Sequence, residues 1–69
     1  MTIEQIKELF DNKNVKLKLD KYIFENLKLK FVKNSVIGYD NNDLKRLEIT
    51  HNTFMQLVSN VEVSIIKEI

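Results

Sequence analysis

Residues 15–31, VKLKLDKYIFENLKLKF, decide the fold of this chain. Apolar residues alternate with lysines at both ends, in VKLKL and LKLKF, which is typical of strands with one buried and one solvated face. The insert DKYIFEN interrupts the alternation. If one strand ran on from Val15 to Phe24, Tyr22 and Phe24 would lie on the lysine face. We favour the alternative, a break at Asp20 and Lys21, because such a pair is common in turns.

The flanking regions predict a helix before this stretch and further strands after it. Thr2 and Gln5 have the spacing of a capping box, and apolar residues then recur on one helical face, so we predict a helix over about residues 2–12. Residues 36–39 predict a strand, either separate or continuing the second strand beyond a bulge at 34–35. Residues 40–43 predict a turn, and residues 47–50 and 61–65 predict two further strands.

The segment 52–60 fits two structures. Phe54, Leu57, Val58 and Val61 have helical spacing, and Asn52 or Thr53 could cap the helix. The same residues could instead form a strand between tight turns. We favour the helix.

These elements predict a single α+β domain over residues 1–69. An N-terminal helix packs on an antiparallel sheet of four or five strands, either open or bent into a small barrel, with a short helix near 52–60. The predicted core consists of Ile3, Ile6, Leu9, Phe10, Val15, Leu17, Leu19, Leu27, Leu29, Phe31, Val36, Leu47, Ile49, Leu57, Val61, Val63 and Ile65.

The order of elements, with VIGYDNNDLKRLEI in the middle and VEVSII near the end, is similar to that of Sm-like RNA-binding proteins, which are small bent barrels that assemble into rings. The chain departs from that family in two places. The insert DKYIFEN lengthens the early strands, and LVSN at 57–60 lacks the family's second motif. We therefore transfer no residue role from the family.

The size of the chain limits its stability. A chain of 69 residues forms one small core, and such domains usually depend on disulfides, a structural metal or a partner subunit. This chain has no cysteine and a single histidine, so neither a disulfide nor a zinc site is expected. Close packing of the core or oligomerisation remains as a source of stability, and we favour a homo-oligomer.

The composition also suggests where the protein acts. The first residues lack the features of a signal peptide, and no apolar run is long enough to cross a membrane, so we expect a bacterial cytoplasmic protein without membrane contact. Abundant Lys, Asn and Ile, with one Arg and no Pro, are typical of AT-rich genomes, including those of phages and mobile elements.

Few residues suggest catalysis or cofactor binding. We interpret His51 as a turn or cap residue rather than a catalytic base. The run Asp40-Asn41-Asn42-Asp43 lacks the later ligands of a calcium loop, and one glycine cannot build a phosphate cradle. We predict neither an enzyme nor a cofactor.

Positive charge is concentrated between residues 13 and 33, where seven lysines stand against two acidic residues. If VKLKL and LKLKF pair, lysines share one face and could contact nucleic acid or another anionic ligand, with Tyr22 and Phe24 stacking on bases if they lie there too. The solvated outer face of a sheet is the simpler interpretation, and we favour it. The candidate anion contacts are Lys16, Lys18, Lys21, Lys28, Lys30 and Lys33.

Two functional hypotheses follow from the sequence. The first is a small non-enzymatic regulator or inhibitor, of the kind phages and mobile elements encode, that binds a protein partner through Tyr22, Ile23 and Phe24 or through an open sheet edge. The second is binding of nucleic acid or an anionic ligand by the lysine-rich face of the sheet.

Overall fold

The computed structural model describes residues 2–67, in which two helices pack on one face of an antiparallel sheet. The helices are α1 (Ile3–Phe10) and α2 (His51–Ser59), and the strands are β1 (Asn14–Leu19), β2 (Tyr22–Phe31), β3 (Ser35–Tyr39), β4 (Lys45–Thr50) and β5 (Val63–Ile65). The strand order is β4-β3-β2-β1-β5, so the sheet has two edge strands and is not a closed barrel. The predicted α+β fold is confirmed, including a helix rather than a strand at 52–60.

The break predicted at Asp20 and Lys21 is present as the turn of a β-hairpin. Leu19 of β1 lies opposite Tyr22 of β2, and Asp20 adopts the left-handed conformation with φ 56°. Aspartate tolerates this conformation better than most residues because its short side chain can bond to the local backbone. The chain therefore reverses over two residues, and β2 begins within the insert.

A β-bulge makes a second break in the alternation of β2. Leu17 pairs with Phe24 and Val15 with Leu27, so Glu25 and Asn26 both lie opposite the single residue Lys16. In a regular strand, Phe24 and Leu27 would lie on opposite faces, because they are three residues apart. The extra residue in the bulge lets both of them face the helices. All the apolar residues of the hairpin except Ile23 can then point toward the helical layer.

The core is centred on Phe54 of α2, whose side chain is completely buried. Its ring makes edge-to-face contacts with Phe10 of α1 and with Phe31 of β2, each at a centroid distance of 5.4 Å. Such a contact contributes about 0.5–1.5 kcal/mol beyond the buried area. Phe54 thus joins both helices to the central strand.

The predicted core needs four corrections. It omitted Phe54, and it included Leu9, Val61 and Ile65, which are 44%, 85% and 41% exposed. In α1 the buried positions are Ile6 and Phe10, so Leu9 falls outside the contact stripe. Val61 precedes β5 instead of belonging to it, and Ile65 ends a three-residue edge strand.

Both helices begin with a threonine N-cap, of which the sequence predicted only the first. The capping box of Thr2 and Gln5 is confirmed at the start of α1. Helix α2 begins earlier than predicted, and its N-cap is Thr50, whose hydroxyl accepts the Thr53 amide at 3.1 Å. Thr50 was predicted only as a strand residue because it is also the last residue of β4, and the strand and the helix share it.

Gly38 of β3 is required by space and not by backbone conformation. A Cβ atom at this position would lie 2.9 Å from Cδ1 of the buried Leu27, and Gly38 has no positive φ. The glycine therefore lets β3 lie beside the side chain that follows the bulge.

Helix α2 ends in a Schellman motif with an unusual residue at its left-handed position. The Glu62 amide donates to the Leu57 carbonyl at 2.8 Å, and the Val61 amide donates to the Val58 carbonyl at 3.1 Å. Glycine normally occupies the position of Val61, which here has φ 56°. The left-handed conformation costs an L-residue with a Cβ atom about 1–2 kcal/mol, and β-branched residues such as valine adopt it rarely.

We expect Val61→Gly to stabilise the protein by up to about 1 kcal/mol, because relief of strain exceeds the added entropy of glycine in the unfolded chain. The midpoint of urea denaturation should rise. Val61→Ala is the matched control and should gain less, since alanine keeps a Cβ atom. A lower midpoint for the glycine variant would contradict this account of the helix end.

Candidate functional site: the β1–β2 hairpin

The structure separates the three residues predicted to bind a protein partner. Tyr22 and Ile23 are 62% and 54% exposed at the start of β2, whereas Phe24 is half-buried and packs against the core. Tyr22 lies opposite Leu19 on the helix-facing side, and Ile23 lies opposite Lys18 on the other side. The exposed pair therefore presents apolar surface on both faces of the hairpin tip, which we define as residues 20–23.

Strand β2 is longer than the partner on one of its sides. It pairs with β1 along most of its length, but its pairing with β3 begins only at Lys28. Within residues 2–67, no strand lies against residues 22–27 on the side away from β1. We call this segment the free edge of β2.

The backbone of Ile23 points toward the open side of the free edge. In β1 the Lys18 amide donates to the Glu62 carbonyl at 2.8 Å, so the Lys18 backbone faces away from β2. Lys18 and Ile23 thus form a non-hydrogen-bonded pair of the antiparallel ladder. The amide and carbonyl of Ile23 consequently face away from β1, where an added strand could meet them.

A shallow groove runs along the free edge. One wall is formed by residues 23–27 of β2, and the other by the β3–β4 turn and the start of β4, through Asp40, Asn41 and Arg46. The Arg46 guanidinium lies 3.7 Å from the Asp40 carboxylate, and its side chain is more than half exposed. The groove therefore combines unpaired backbone groups of β2 with an exposed Arg46–Asp40 ion pair on the opposite wall.

The other two open edges carry features that discourage pairing with another chain. Edge strand β4 reads KRLEIT, with three charged residues, and edge strand β5 has only three residues. Charges and short length are common ways to block an edge. The free edge of β2 also has a bulge and one charged residue, Glu25, but it differs from the other two edges in lying beside the exposed Tyr22 and Ile23.

The outer face of the sheet carries four of the six predicted anion contacts. Lys16 and Lys18 of β1 and Lys28 and Lys30 of β2 alternate with buried residues and are all exposed, and we call these four the lysine face. Lys21 lies in the hairpin turn, whereas Lys33 lies beyond the far end of β2, near α1. The six lysines therefore do not form one patch.

Stacking by Tyr22 and Phe24 was conditional on their lying on the lysine face, and they lie on the other side of the sheet. Tyr22 and Phe24 lie on the helix-facing side of β2, because the turn at Asp20 places them opposite Leu19 and Leu17, which also face the helices. Tyr39 of β3 occupies the outer face instead, paired with Lys28 on one side and with Lys45 on the other. The sequence analysis did not identify Tyr39 as a residue of the lysine-bearing side. The alternation of the strand gives the signal, because Gly38 faces inward and its neighbour must therefore face outward.

Ion pairs modify the charge of the outer face. Lys16 lies 3.8 Å from Glu25, a loose pair of exposed side chains. Lys45 donates to Glu48 at 2.9 Å, and this hydrogen bond and the attraction between the charges raise the pKa of Lys45 and lower the pKa of Glu48. Within residues 2–67, Lys18, Lys28 and Lys30 form no ion pair. Net positive charge is thus concentrated on β1 and β2.

His51 is the first residue of α2 and connects the helix to the β2–β3 turn. Its Nε2 donates to the carbonyl oxygens of Val32, at 2.9 Å, and Ser35, at 3.2 Å. Both acceptors are carbonyls, so this nitrogen carries the proton. The prediction of a turn or cap role for His51 agrees with these contacts.

The Asp40 carboxylate organises the β3–β4 turn. Its Oδ1 accepts the amides of Asn42, at 2.8 Å, and Leu44, at 3.1 Å, so the run 40–43 is a turn as predicted. In the part of the chain that the structure describes, no group of three or more histidine, cysteine or acidic residues is arranged to hold a metal ion.

Comparison with protein-family models, with curated proteins and with solved structures finds no match for this chain. Among the helices of residues 2–67, none has the length and apolar character that a membrane crossing requires.

We expect Lys45→Met to raise the pKa of Glu48, because the substitution removes the hydrogen bond and the positive charge that lower it. The stabilisation by a lowered carboxyl pKa is present above the unfolded-state value and is lost as pH falls through the folded-state value. Carbon-detected NMR titration of the Glu48 carboxyl measures the shift. Ser35→Ala is the control and should raise this pKa less, since the Ser35 bond is longer, at 3.3 Å. An unchanged pKa in Lys45→Met would contradict the pairing.

Proposed function

We propose that this chain is a small cytoplasmic binding protein that regulates or inhibits a partner protein through the tip and free edge of the β1–β2 hairpin. The observation that supports the proposal is the exposure of Tyr22 and Ile23 beside a strand segment with an unoccupied side. Exposed aromatic and aliphatic side chains next to open backbone groups favour contacts with another protein. An origin in a phage or mobile element stays a prediction from composition.

Burial separates contact residues from structural residues within the proposed site. Tyr22 and Ile23 expose more than half of their surface, so their replacement removes little buried area. Phe24 packs against the core, and its truncation would disturb the fold as well as the surface. The proposal therefore depends on Tyr22 and Ile23, whereas Phe24 belongs mainly to the packing of the core.

We expect Tyr22→Thr/Ile23→Thr to weaken partner binding at least about tenfold while leaving thermal stability near that of the wild type. The binders are random peptides displayed on phage and selected on the immobilised wild-type protein. Threonine keeps the preference for a strand while removing the apolar surface. Affinities of the selected peptides for both proteins, measured in solution, provide the comparison.

The matched control is Leu9→Gln/Leu44→Thr, which removes two other exposed apolar side chains, on α1 and the β3–β4 turn. Its affinity for the peptides should equal that of the wild type. Peptides that bind the Tyr22/Ile23 variant as tightly as the wild type, or a selection without enrichment, would argue against the hairpin as the binding site.

A second candidate function is the binding of nucleic acid by the lysine face. The supporting observation is that four lysines and Tyr39 share one side of the sheet, and three of these lysines form no ion pair in residues 2–67. Neutralisation of phosphates by lysine gives affinity without sequence specificity. The prevalence of lysine over arginine suits such contacts, because bidentate base recognition favours the guanidinium group.

For this second function we expect fluorescent single-stranded RNA or DNA to bind with a slope of about −3 to −4 in log K against log salt, as for four phosphate contacts. Lys16→Gln/Lys28→Gln should reduce the slope by about 1.5–2. Lys7→Gln/Lys33→Gln changes the net charge equally beside α1, away from the lysine face, and should preserve the slope. Absence of binding at low salt would leave the lysines as a solvated face.

A further inference from the structure

A polar cleft borders the lysine face on the outer side of the sheet, and this inference rests on the second function proposed above. We infer that the cleft beside Tyr39 binds one guanine base of a single-stranded nucleic acid, whose neighbouring phosphates lie on the lysine face. The class of ligand follows from the side chains that line the cleft and from the lysines on both sides of it.

The cleft lies midway along β2, where β1 begins and β3 ends. In the antiparallel register, Lys28 of β2 has Asn14 of β1 on one side and Tyr39 of β3 on the other. Two connecting segments complete the lining, through Asn12 after α1 and Asp43 in the β3–β4 turn. The space has a volume of about 350 Å³, which is at the lower end of the range found for ligand pockets.

The lining is rich in side-chain amides. Asn12, Asn14, Asn26 and Asn41 all line the cleft, and within residues 2–67 none of their side chains hydrogen-bonds to another protein group. An amide offers both donors and an acceptor, as the edges of nucleobases do. Tyr39 lines the same space and is half-buried, and unpaired bases commonly stack on such aromatic side chains. These groups together suit a nucleobase.

One carboxylate in the cleft favours guanine over the other bases. Within residues 2–67, Asp43 forms neither an ion pair nor a side-chain hydrogen bond. Asp40 also lines the cleft, but its carboxylate accepts the amides of Asn42 and Leu44 and lies 3.7 Å from Arg46. A carboxylate only accepts hydrogen bonds, and the Watson–Crick edge of guanine presents two adjacent donors, at N1 and N2. Asp43 can therefore accept both donors of one guanine.

Lysines on both sides of the cleft supply contacts for the phosphates. An adjoining space of about 270 Å³ shares four lining residues with the cleft and extends to Lys30. Lys16 lies in the opposite direction along the sheet, beside the bulge of β2. Within residues 2–67, Lys28 and Lys30 form no ion pair, and Lys16 has only its loose contact with Glu25. The flanking phosphates therefore meet lysines, while the neutral base meets the carboxylate of Asp43.

The test uses fluorescein-labelled single strands of about eight nucleotides, in which one central base varies within a run of uridine or, for DNA, thymidine. Fluorescence anisotropy measures their affinity for the full chain. We expect the strand with guanine to bind at least about tenfold more tightly than the strand with adenine. Hypoxanthine lacks the N2 amino group of guanine and should give an intermediate affinity, because it keeps one of the two donors.

Two acidic residues provide a matched pair of variants. Asp43→Asn removes the charge and keeps the positive φ of 61°, which asparagine also tolerates, so the fold should be preserved. It should reduce the preference for guanine to less than about threefold. Asp20→Asn is the same change at a residue with φ 56°, in the hairpin turn at the other end of β1, and should keep the full preference.

Substitutions of Tyr39 test the stacking contact. Tyr39→Phe keeps an aromatic ring and should bind the guanine strand as the wild type does. Tyr39→Ile keeps a residue that favours a strand but removes the ring, and should weaken this binding about tenfold. Melting temperatures of all variants show whether the fold is retained. Equal binding by the folded isoleucine variant would overturn the role of the ring.

A preference for guanine in either the RNA or the DNA series supports the inference. Equal affinity for guanine and adenine in both series, or a preference that survives Asp43→Asn, would overturn it. Free guanosine monophosphate that binds as tightly as the guanine strand would overturn the role of the lysines beyond the cleft. The second function fails separately, when no strand binds at low salt, and the inference then fails with it. Strands that bind with the expected salt slope but without preference among bases would preserve that function and refute only the inference.

Discussion

The register shift at the bulge of β2 is the constraint on which the rest of the structure depends. Period-two alternation assigns every residue of a strand to one face, so a strand without the extra residue would exchange Leu27, Leu29 and Phe31 with the lysines between them. The bulge opposite Lys16 prevents this exchange. It brings Phe31 against Phe54 and brings Leu27 against the space left by Gly38. One inserted residue thus determines both the helical core and the charged face.

The left-handed backbone conformation occurs mostly at residue types that tolerate it, with one exception. Among residues 2–67, four have positive φ, and three of them, Asn12, Asp20 and Asp43, are types that tolerate it. The fourth is Val61, and the only glycine is at Gly38, where space and not φ requires it. Natural proteins rarely lie at their stability optimum, and the end of α2 is a local example.

The hairpin carries two separate surfaces because β1 and β2 are covered by helices on one side only. The lysine face belongs to the flat outer side, whereas the free edge belongs to the margin of β2 and exists because β3 is shorter than β2. Lys16 and Glu25 connect the two surfaces through a loose ion pair. The surfaces also meet at Ile23, which lies on the outer side opposite Lys18. Tyr22 and Lys30 lie on opposite sides of β2, so substitutions at these two positions separate the two proposed functions.

The sequence by itself determined the local structure of this protein. The alternation in 15–19 and 27–31, the capping box at Thr2 and the turn at Asp20 act over a few residues, so each could be predicted from neighbours in sequence. The tertiary structure alone decided the position of the bulge, the central place of Phe54 and the exposure of Val61, because these depend on contacts between distant segments. The free edge is of the same kind. It arises from the unequal lengths of β2 and β3 and from the turn at Asp40, and no pattern within β2 indicates which side lacks a neighbour.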